Sequence, residues 1–396
     1  MHTHTHNTRA RRTTMFKFNA FVGRCRRRLE ALFSLILITG CLFNIALSPY
    51  CMCAMESCHN QVTAVLVQVN TVLPRTLAVV CLVSRVKTML HNASGAFRKY
   101  EYRTREYKTC FPDGAGSVFV AFIVSVYAVT ILPTNAYRVY MIHRDVRDHT
   151  VTAFFVLMYA QNLCTCSSEI HYVARCFGLY RRFCRINEDV FALKRATIVA
   201  NRYPSVLLQS AGGSGYNGCR RSRKTTSAPL VSSAAEITRP TAVNVELLRM
   251  RHQCVREAVG DLNDLYGVQL LLSLCVLCVM TVIDGYGEIF GVYTLAQSQV
   301  FLYSWLTHYL FRFCAIVLTT HFTTKQAYRT KTLTTDINNR HLDTSTKEEL
   351  NLFSNQIIRH SMEFTTCDFF TLNAHFITST IAAVTTYFIV LLQYVH

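Results

Sequence analysis

A stripe of small and polar side chains follows one side of the last apolar segment of the chain. Its members recur at alternating steps of four and three residues, as on one helix face: Ser379, Ala383, Thr386, Val390 and Gln393. In one interpretation, small residues let a neighbouring helix pack closely while the Gln393 amide hydrogen-bonds to it. In the other, the stripe faces a water-filled ion path shared by several copies of the chain, where amide oxygens replace part of an ion's hydration shell. The pattern leaves both interpretations open.

The segment that carries this stripe has the length of a membrane span. No acidic or basic side chain occurs from residue 376 to residue 395. At a rise of 1.5 Å per residue, a helix of this length covers roughly 30 Å, which is the thickness of a bilayer core. A polar amide is poorly placed in lipid, so we expect Gln393 to face protein or water.

No motif in the sequence is typical of catalysis. It contains no Gly-rich phosphate loop, no Ser-His-Asp or Cys-His constellation and no HExxH motif, so we expect neither an enzyme nor a cofactor. The 17 cysteines lack paired zinc spacing, and most are interpreted as small buried hydrophobes. A disulfide remains an alternative at the expected outer face, among Cys51, Cys53 and Cys58. The His-rich start of the chain is interpreted as a mobile tail rather than a metal site.

The composition indicates a membrane protein with several spans. Of 396 residues, 51% are hydrophobic and 16% are charged, and the mean hydropathy is positive. A net charge of +18 would suggest nucleic acid as the partner of a soluble protein. Here the basic residues lie in the connections between apolar segments, so we expect them to face the anionic cytoplasmic leaflet instead.

Seven apolar segments are predicted to be membrane helices. Their predicted bounds are 31–53, 61–84, 117–137, 151–172, 266–286, 298–320 and 372–396. The clearly basic connections fall on one side, which places the amino terminus in the cytoplasm and the carboxyl terminus outside. The predicted fold class is therefore an all-α membrane protein with seven transmembrane helices. Its orientation is the reverse of that of a G-protein-coupled receptor.

The remaining segments are expected on the cytoplasmic side. Residues 1–30 form a basic tail before helices one to four, which occupy residues 31–172. Residues 173–265 contain cytoplasmic helices and a Ser- and Gly-rich linker, 204–242, which we expect to be disordered. Residues 266–320 hold helices five and six, and a cytoplasmic loop and helix at 321–371 precede the last span.

One basic residue, Arg75, lies within the second predicted span. A charge inside a membrane helix is a functional-site hypothesis by default. Pairing with a carboxylate on a neighbouring helix, or snorkelling to the membrane surface, is the plainer alternative.

The end of the chain resembles the signature of insect gustatory receptors. Thr386-Tyr387, five apolar residues and Gln393-Tyr394 are similar to the family's Thr-Tyr, five hydrophobic residues and Gln-Phe. Residues 350–376 are similar to the family's Leu-Phe-Ser and Phe-Thr-Ala-Cys-Gly-Phe-Phe-Thr-Leu runs. Two residues depart from the pattern, because Tyr394 replaces the usual Phe and Asp368 stands where a small residue is common. A difference from the family is therefore expected at the gate and at the bend before the last helix.

The resemblance implies a tetrameric, ligand-gated cation channel in the plasma membrane of chemosensory neurons. The seventh helix of each subunit would line the central pore. Carried onto this sequence, the pore and gate residues are Gln393, Tyr394, Thr386, Tyr387 and Val390. The cytoplasmic parts at 245–264 and 347–364 would form an anchor between subunits, although their amphipathic patterns also fit packing within one subunit.

The resemblance also implies the partners: a small-molecule tastant, cations, membrane lipid, and further subunits that are identical or related. A tastant in the outer half of the bundle needs aromatic faces and a few polar anchors. The candidates are Trp305, Tyr303, His308, Asp284 and Tyr286, for which interfacial anchoring or packing is the alternative. The alternative functions are a metabotropic receptor that signals through a cytosolic partner and a non-conducting subunit that modulates related receptors.

Overall fold

The computed structural model of the chain is almost entirely helical. It describes residues 29, 31–51, 61–90, 100, 102–103, 117–202, 242–289, 299–337, 340, 342–359 and 362–395. The predicted basic tail and the predicted linker at 204–242 lie outside these residues, apart from Leu29 and Ala242, which are helical. Cys53 and Cys58 also lie outside them, while Cys51 is a buried free thiol.

Eight α-helices account for most of the described residues. They are α1 (Ala31–Cys51), α2 (Gln61–Leu90), α3 (Ser117–Val146), α4 (His149–Arg202), α5 (Ala242–Ile289), α6 (Gln299–Thr335), α7 (Thr344–Arg359) and α8 (Ala374–Val395). Two short strands, β1 (Thr365–Thr366) and β2 (Phe370–Thr371), pair antiparallel between α7 and α8. Each of the seven predicted spans lies on its own helix, α1 to α6 and α8. The remaining helix, α7, falls within residues 321–371, where a cytoplasmic loop and helix were predicted.

Several of these helices have the length and composition of membrane spans. Four regions are long and apolar enough to cross a bilayer: Ala31–Cys51, Val118–Val146, Ala242–Tyr286 and Phe301–Thr335. Shorter apolar helices occupy Gln68–Ser84 and Ala374–Val390. The predicted fourth span, on α4, is less apolar because it contains Gln161 and Glu169, and both of these side chains are buried. Their burial indicates that the polar side of α4 faces protein rather than lipid.

The chain divides into two compact units. The membrane unit comprises residues 1–176, 260–321 and 364–396, and the extension unit comprises residues 177–259 and 322–363. Helices α4, α5 and α6 contribute residues to both units, which is why they are longer than the spans predicted from hydropathy alone.

In the extension unit, α7 packs one amphipathic face inwards. The residues of that face recur at steps of four, three and four and are buried: Thr346, Leu350, Phe353 and Ile357. The Phe353 ring meets the His252 ring edge-on, with centroids 5.7 Å apart, and His252 meets Phe183 at 5.9 Å. Much of the amphipathic surface predicted at 347–364 is therefore covered by packing within one subunit.

Polar side chains also join α4 to its neighbours in the extension unit. Asn187 is buried, and its amide donates to the Gln326 carbonyl at 2.9 Å and accepts from the Thr330 hydroxyl at 2.7 Å. Arg251 Nη1 lies 2.6 Å from Asp189 Oδ2. The amide nitrogen and oxygen of Asn187 are thus both hydrogen-bonded to α6, which holds α4 and α6 in one register.

A tight hairpin reverses the chain before α8. Cys367 and Asp368 have φ values of 51° and 60°, a conformation that glycine adopts most easily and Asp tolerates better than most residues. The Asp368 carboxylate accepts a hydrogen bond from the Thr365 hydroxyl at 3.0 Å. The positive φ explains why a small residue is favoured at position 368, and the hydrogen bond from Thr365 explains how Asp is accommodated there. Asn373 then caps α8, since its Oδ1 accepts from the backbone nitrogen of Phe376 at 3.0 Å.

The hairpin approaches α5 closely at Gly267. A Cβ atom there would lie 3.2 Å from the backbone nitrogen of Cys367, whereas a Cβ at Gly260, on the same helix, would meet nothing within 4 Å. We expect Gly267→Ala to destabilise the protein by roughly 1 kcal/mol because the turn must shift. Gly260→Ala should stabilise it by about 0.5–1 kcal/mol because alanine favours helix. Thermal unfolding of the purified protein measures both, and shifts of the same sign would contradict the close approach.

Acid should weaken the extension unit through His252. Burial, with the charge of Arg256 nearby, lowers the pKa of His252 to about 4. The unfolded chain, with a histidine pKa near 6.5, binds a proton that the folded chain excludes between about pH 6.5 and pH 4. Stability should therefore fall as the pH falls through this window, by about 2 kcal/mol at pH 5. The thermal midpoint should drop more between pH 7 and pH 5 for the wild type than for His252→Gln, and equal drops would assign the acid sensitivity to other groups.

Candidate functional site

The membrane unit contains a partly open cavity of about 110 Å³, lined by residues of α2 to α6. Much of its wall is apolar or aromatic, with Phe155 and Tyr159 on α4 and Phe301 and Trp305 on α6. The polar residues in the wall are Asn70, Thr71, Arg75, Arg138, Asn162, Thr165, Asp284 and Arg312. An apolar cavity with a few convergent polar groups is typical of a site for a small organic ligand.

Helical spacing places the aromatic groups of α6 on the cavity side. Phe301, Trp305, Tyr309 and Arg312 recur at steps of four, four and three, so they share one face of the helix. The Trp305 ring stacks on Tyr159 of α4, with centroids 6.1 Å apart and an angle of 24° between the planes. This stacked pair forms a flat apolar surface in the cavity wall.

The five predicted ligand residues do not all reach this cavity. Trp305 and Asp284 line it. His308 is buried beside it, where its ring packs edge-on against Tyr127 at 5.7 Å. Tyr303 is 63% exposed, because it lies two residues from Trp305 and so points to the other side of α6. Tyr286 is partly buried and lies outside the cavity wall.

Arg75 of α2 is the least expected residue of the cavity wall. Its side chain is 4% exposed, so snorkelling to the membrane surface is the wrong interpretation. No ion pair to it occurs in the described part of the chain, and its Nε has no hydrogen-bond partner there. Asp284, on another side of the cavity, accepts hydrogen bonds from Asn70 at 3.5 Å and from Tyr309.

A buried ion pair between α4 and α6 lies next to the cavity. Arg312 Nη2 and Nε donate to the two carboxylate oxygens of Glu169 at 2.7 and 2.8 Å, and the hydroxyl of Ser273, on α5, donates to the same carboxylate. The two charged side chains are 4% and 1% exposed. Sequence reasoning overlooked Glu169, although an acidic residue in one predicted span and a basic residue in another were the signal for such a pair.

The stripe on α8 is exposed on the described protomer at each of its five positions. Thr386 uses its hydroxyl within the helix, donating to the Ala382 carbonyl at 2.8 Å, and so presents acceptor lone pairs to its surroundings. Tyr387 is 67% exposed, and the side chain of Tyr394 lies outside the described part of the structure.

An apolar groove separates α8 from α5 within the membrane unit. Ser379, Ala383 and Val390 of the stripe line it, together with Tyr387 and apolar residues of α5. Farther along α8, the Phe388 ring lies 3.2 Å from where a Cβ would stand at Gly285 of α5. Part of the stripe therefore borders a helix seam inside one protomer, while Thr386 and Gln393 do not line the groove.

The stability of the membrane unit should depend on both members of the Glu169–Arg312 pair. Glu169→Gln leaves a buried arginine without its counter-charge, so we expect a loss of roughly 3 kcal/mol or more. The double variant Glu169→Leu/Arg312→Met should recover most of that loss because it removes both charges together. Lys194→Gln, which breaks the exposed pair with Asp336, is the control and should cost less than about 1 kcal/mol. Thermal unfolding in detergent measures all three, and a stable Glu169→Gln protein would contradict the structural role of the pair.

Comparison with known proteins finds similarity to chemosensory receptors, in sequence over part of the chain and in fold over most of it. Residues 214–395, just under half of the chain, match the family model of the 7tm chemosensory receptors. The solved structure of the insect olfactory receptor OR5 from Machilis hrabei matches with a TM-score of 0.56 at 13% identity, covering 91% of this chain and 89% of that one. The structure of that receptor in complex with eugenol matches over the same shares at 13% identity, with a TM-score of 0.53. No curated protein sequence gives a significant match. The predicted all-α membrane fold is confirmed.

Proposed function

We propose that this chain is a gustatory receptor that acts as a tastant-gated, non-selective cation channel. Its similarity to chemosensory receptors in part of its sequence and in its fold supports this proposal. The channel works in the plasma membrane of chemosensory neurons, as a homotetramer or with related receptors. The tastant binds in the cavity lined by Trp305, and α8 lines the pore. The observation that carries this proposal is the stripe of small and polar residues that one protomer leaves exposed on α8.

The exposed polar side of α8 supports the proposed pore. A single helix cannot enclose water, and an exposed amide such as that of Gln393 is costly in lipid. Several protomers around one axis would satisfy both constraints, because their stripes would face one another across water. Rings of apolar and aromatic side chains close such a path by excluding water, and Tyr394 would form such a ring near the outer end. The Gln393 amide oxygens beside it would replace part of an ion's hydration shell.

The proposed ligand site has the size and lining that a small organic compound requires. It is supported by OR5, a receptor of the same fold whose structure includes bound eugenol. In this chain the stacked Trp305–Tyr159 pair would hold the apolar part of the tastant, and the polar wall residues would orient it.

Helix α5 connects the proposed ligand site with the proposed pore. Leu277, Met280 and Asp284 face the cavity, and Leu274, Cys278 and Ile283 face the groove beside α8. A ligand that fits the cavity better in one position of α5 would shift α8 towards the matching arrangement. The differential affinity for the two positions sets the size of that shift.

Gln393→Ala should alter the pore and leave assembly intact. We expect a change of about twofold or more in unitary conductance or open probability, because the amide would no longer stand beside the ion path. Surface expression should match the wild type. Patch-clamp recording with a tastant panel measures this, and Ile381→Ala, an exposed position off the stripe, serves as the control.

The same recordings separate the alternative functions. Currents from Gln393→Ala that equal those of the wild type would contradict the pore assignment. Responses that disappear in cells without G-protein signalling would indicate a metabotropic receptor. Currents that require co-expression of a related receptor, and that Gln393→Ala does not alter, would indicate a modulatory subunit.

A further inference from the structure

Three hydrogen-bond donors in the cavity wall have no acceptor in the described part of the chain. They are Nε of Arg75, the hydroxyl of Tyr159 and Nε1 of Trp305, and they come from α2, α4 and α6. Arg75 and Tyr159 are each 4% exposed. A buried donor without an acceptor is unfavourable, and buried polar groups in folded proteins are usually satisfied.

Two side-chain acceptors in the same wall, Asp284 and Asn162, are already engaged. The Asp284 carboxylate accepts from Asn70 and Tyr309. The Asn162 side-chain oxygen accepts from Thr165 at 3.4 Å and lies 3.5 Å from Nη1 of Arg312. Arg312 itself is paired with Glu169. The cavity therefore has donors in surplus, and a ligand that brings acceptors would satisfy them.

The charged residues of the wall also favour a ligand that brings acceptors. Arg75, Arg138 and Arg312 line the cavity, and Asp284 is the one carboxylate among its described lining residues. Glu169 neutralises Arg312, and Arg138 and Asp284 carry opposite charges, so Arg75 is the wall's cation that has no ion pair in the described part of the chain. An uncompensated guanidinium in a membrane protein's interior attracts an anionic group strongly because water does not screen it there.

We propose that the ligand of this cavity is a small organic carboxylate, with Arg75 as the residue that binds its charged group. The inference rests on the proposed function, since it assigns a chemical class to the tastant of the same site. A guanidinium presents donors in a planar fork that matches the two oxygens of a carboxylate. The Trp305–Tyr159 stack supplies the surface for the apolar part, and their free donors lie beside it.

The size of the cavity restricts the ligand further. At about 10–15 Å³ for each water-sized group, the volume of about 110 Å³ holds on the order of ten such groups. A short-chain fatty acid is of this size. A cationic ligand would use Asp284 instead and would approach two arginines, which makes it the competing class.

Trp305 provides a direct measurement of binding because it is the only tryptophan in the chain. The full-length protein in lipid nanodiscs is titrated with hexanoate, with neutral hexanamide and with cationic hexylamine, and the emission of Trp305 is followed. We expect a saturable change with hexanoate at a concentration about tenfold lower than with hexanamide, because the charged acceptor pairs with Arg75. Hexylamine should give no saturable change.

Variants assign that preference to Arg75. Arg75→Gln should reduce the preference for acid over amide to roughly twofold or less, and Arg75→Lys should give an intermediate value because the charge remains without the fork. Tyr159→Phe removes a single hydroxyl and should weaken hexanoate binding severalfold. Arg144→Gln removes a charge from an exposed arginine at the end of α3 and should leave the preference unchanged.

Three results would overturn the proposal. They are equal responses to acid and amide, a preference that stays at the wild-type value in folded Arg75→Gln or Arg75→Lys protein, and no response to hexanoate up to roughly 10 mM, the weak end of small-ligand affinity. The fluorescence assay needs no ion current. Carboxylate binding without any current would therefore contradict the channel function alone, and currents evoked by neutral compounds with no preference for acids would contradict the ligand class alone.

Discussion

The buried ion pair between Glu169 and Arg312 is the constraint on which the membrane unit depends. Two charges in a low-dielectric interior are tolerated only when each is fully satisfied, and here both oxygens of Glu169 are used by Arg312 and Ser273. These three side chains come from α6, α4 and α5, so a shift of any one helix along its axis would break the arrangement. The pair therefore fixes the register in which Trp305 meets Tyr159 and in which the cavity takes its shape.

Helix α5, which Ser273 ties to Glu169, also borders a less tightly held seam, the groove beside α8. It faces the cavity on one side and the groove beside α8 on the other. The groove is lined by small and apolar side chains and contains no ion pair within the described residues, so sliding there breaks no strong interaction. The helices joined by the ion pair thus shape the cavity, while the groove between α5 and α8 adjoins the helix that carries the stripe.

The sequence predicted the features that depend on local patterns. Hydropathy predicted seven apolar segments that coincide with described helices, and the spacing of the stripe predicted a polar face on α8. Hydropathy could not predict how far α4, α5 and α6 extend, because it detects the apolar window and not the polar helix that continues from it. Nor could it pair Glu169 with Arg312 or group Arg75 with Trp305 and Tyr159, because such contacts join helices far apart in sequence. Tyr303 shows that closeness in sequence does not imply a shared helix face. It lies two residues from Trp305, so helical periodicity places its side chain on the opposite side of α6.

The exposed stripe of α8 has a consequence for biosynthesis. A newly inserted protomer presents the amide of Gln393 to whatever surrounds the last helix, and lipid offers it no hydrogen-bond partner. In the proposed assembly, neighbouring copies would cover this amide, so its exposure would distinguish a single copy from an assembled one during maturation.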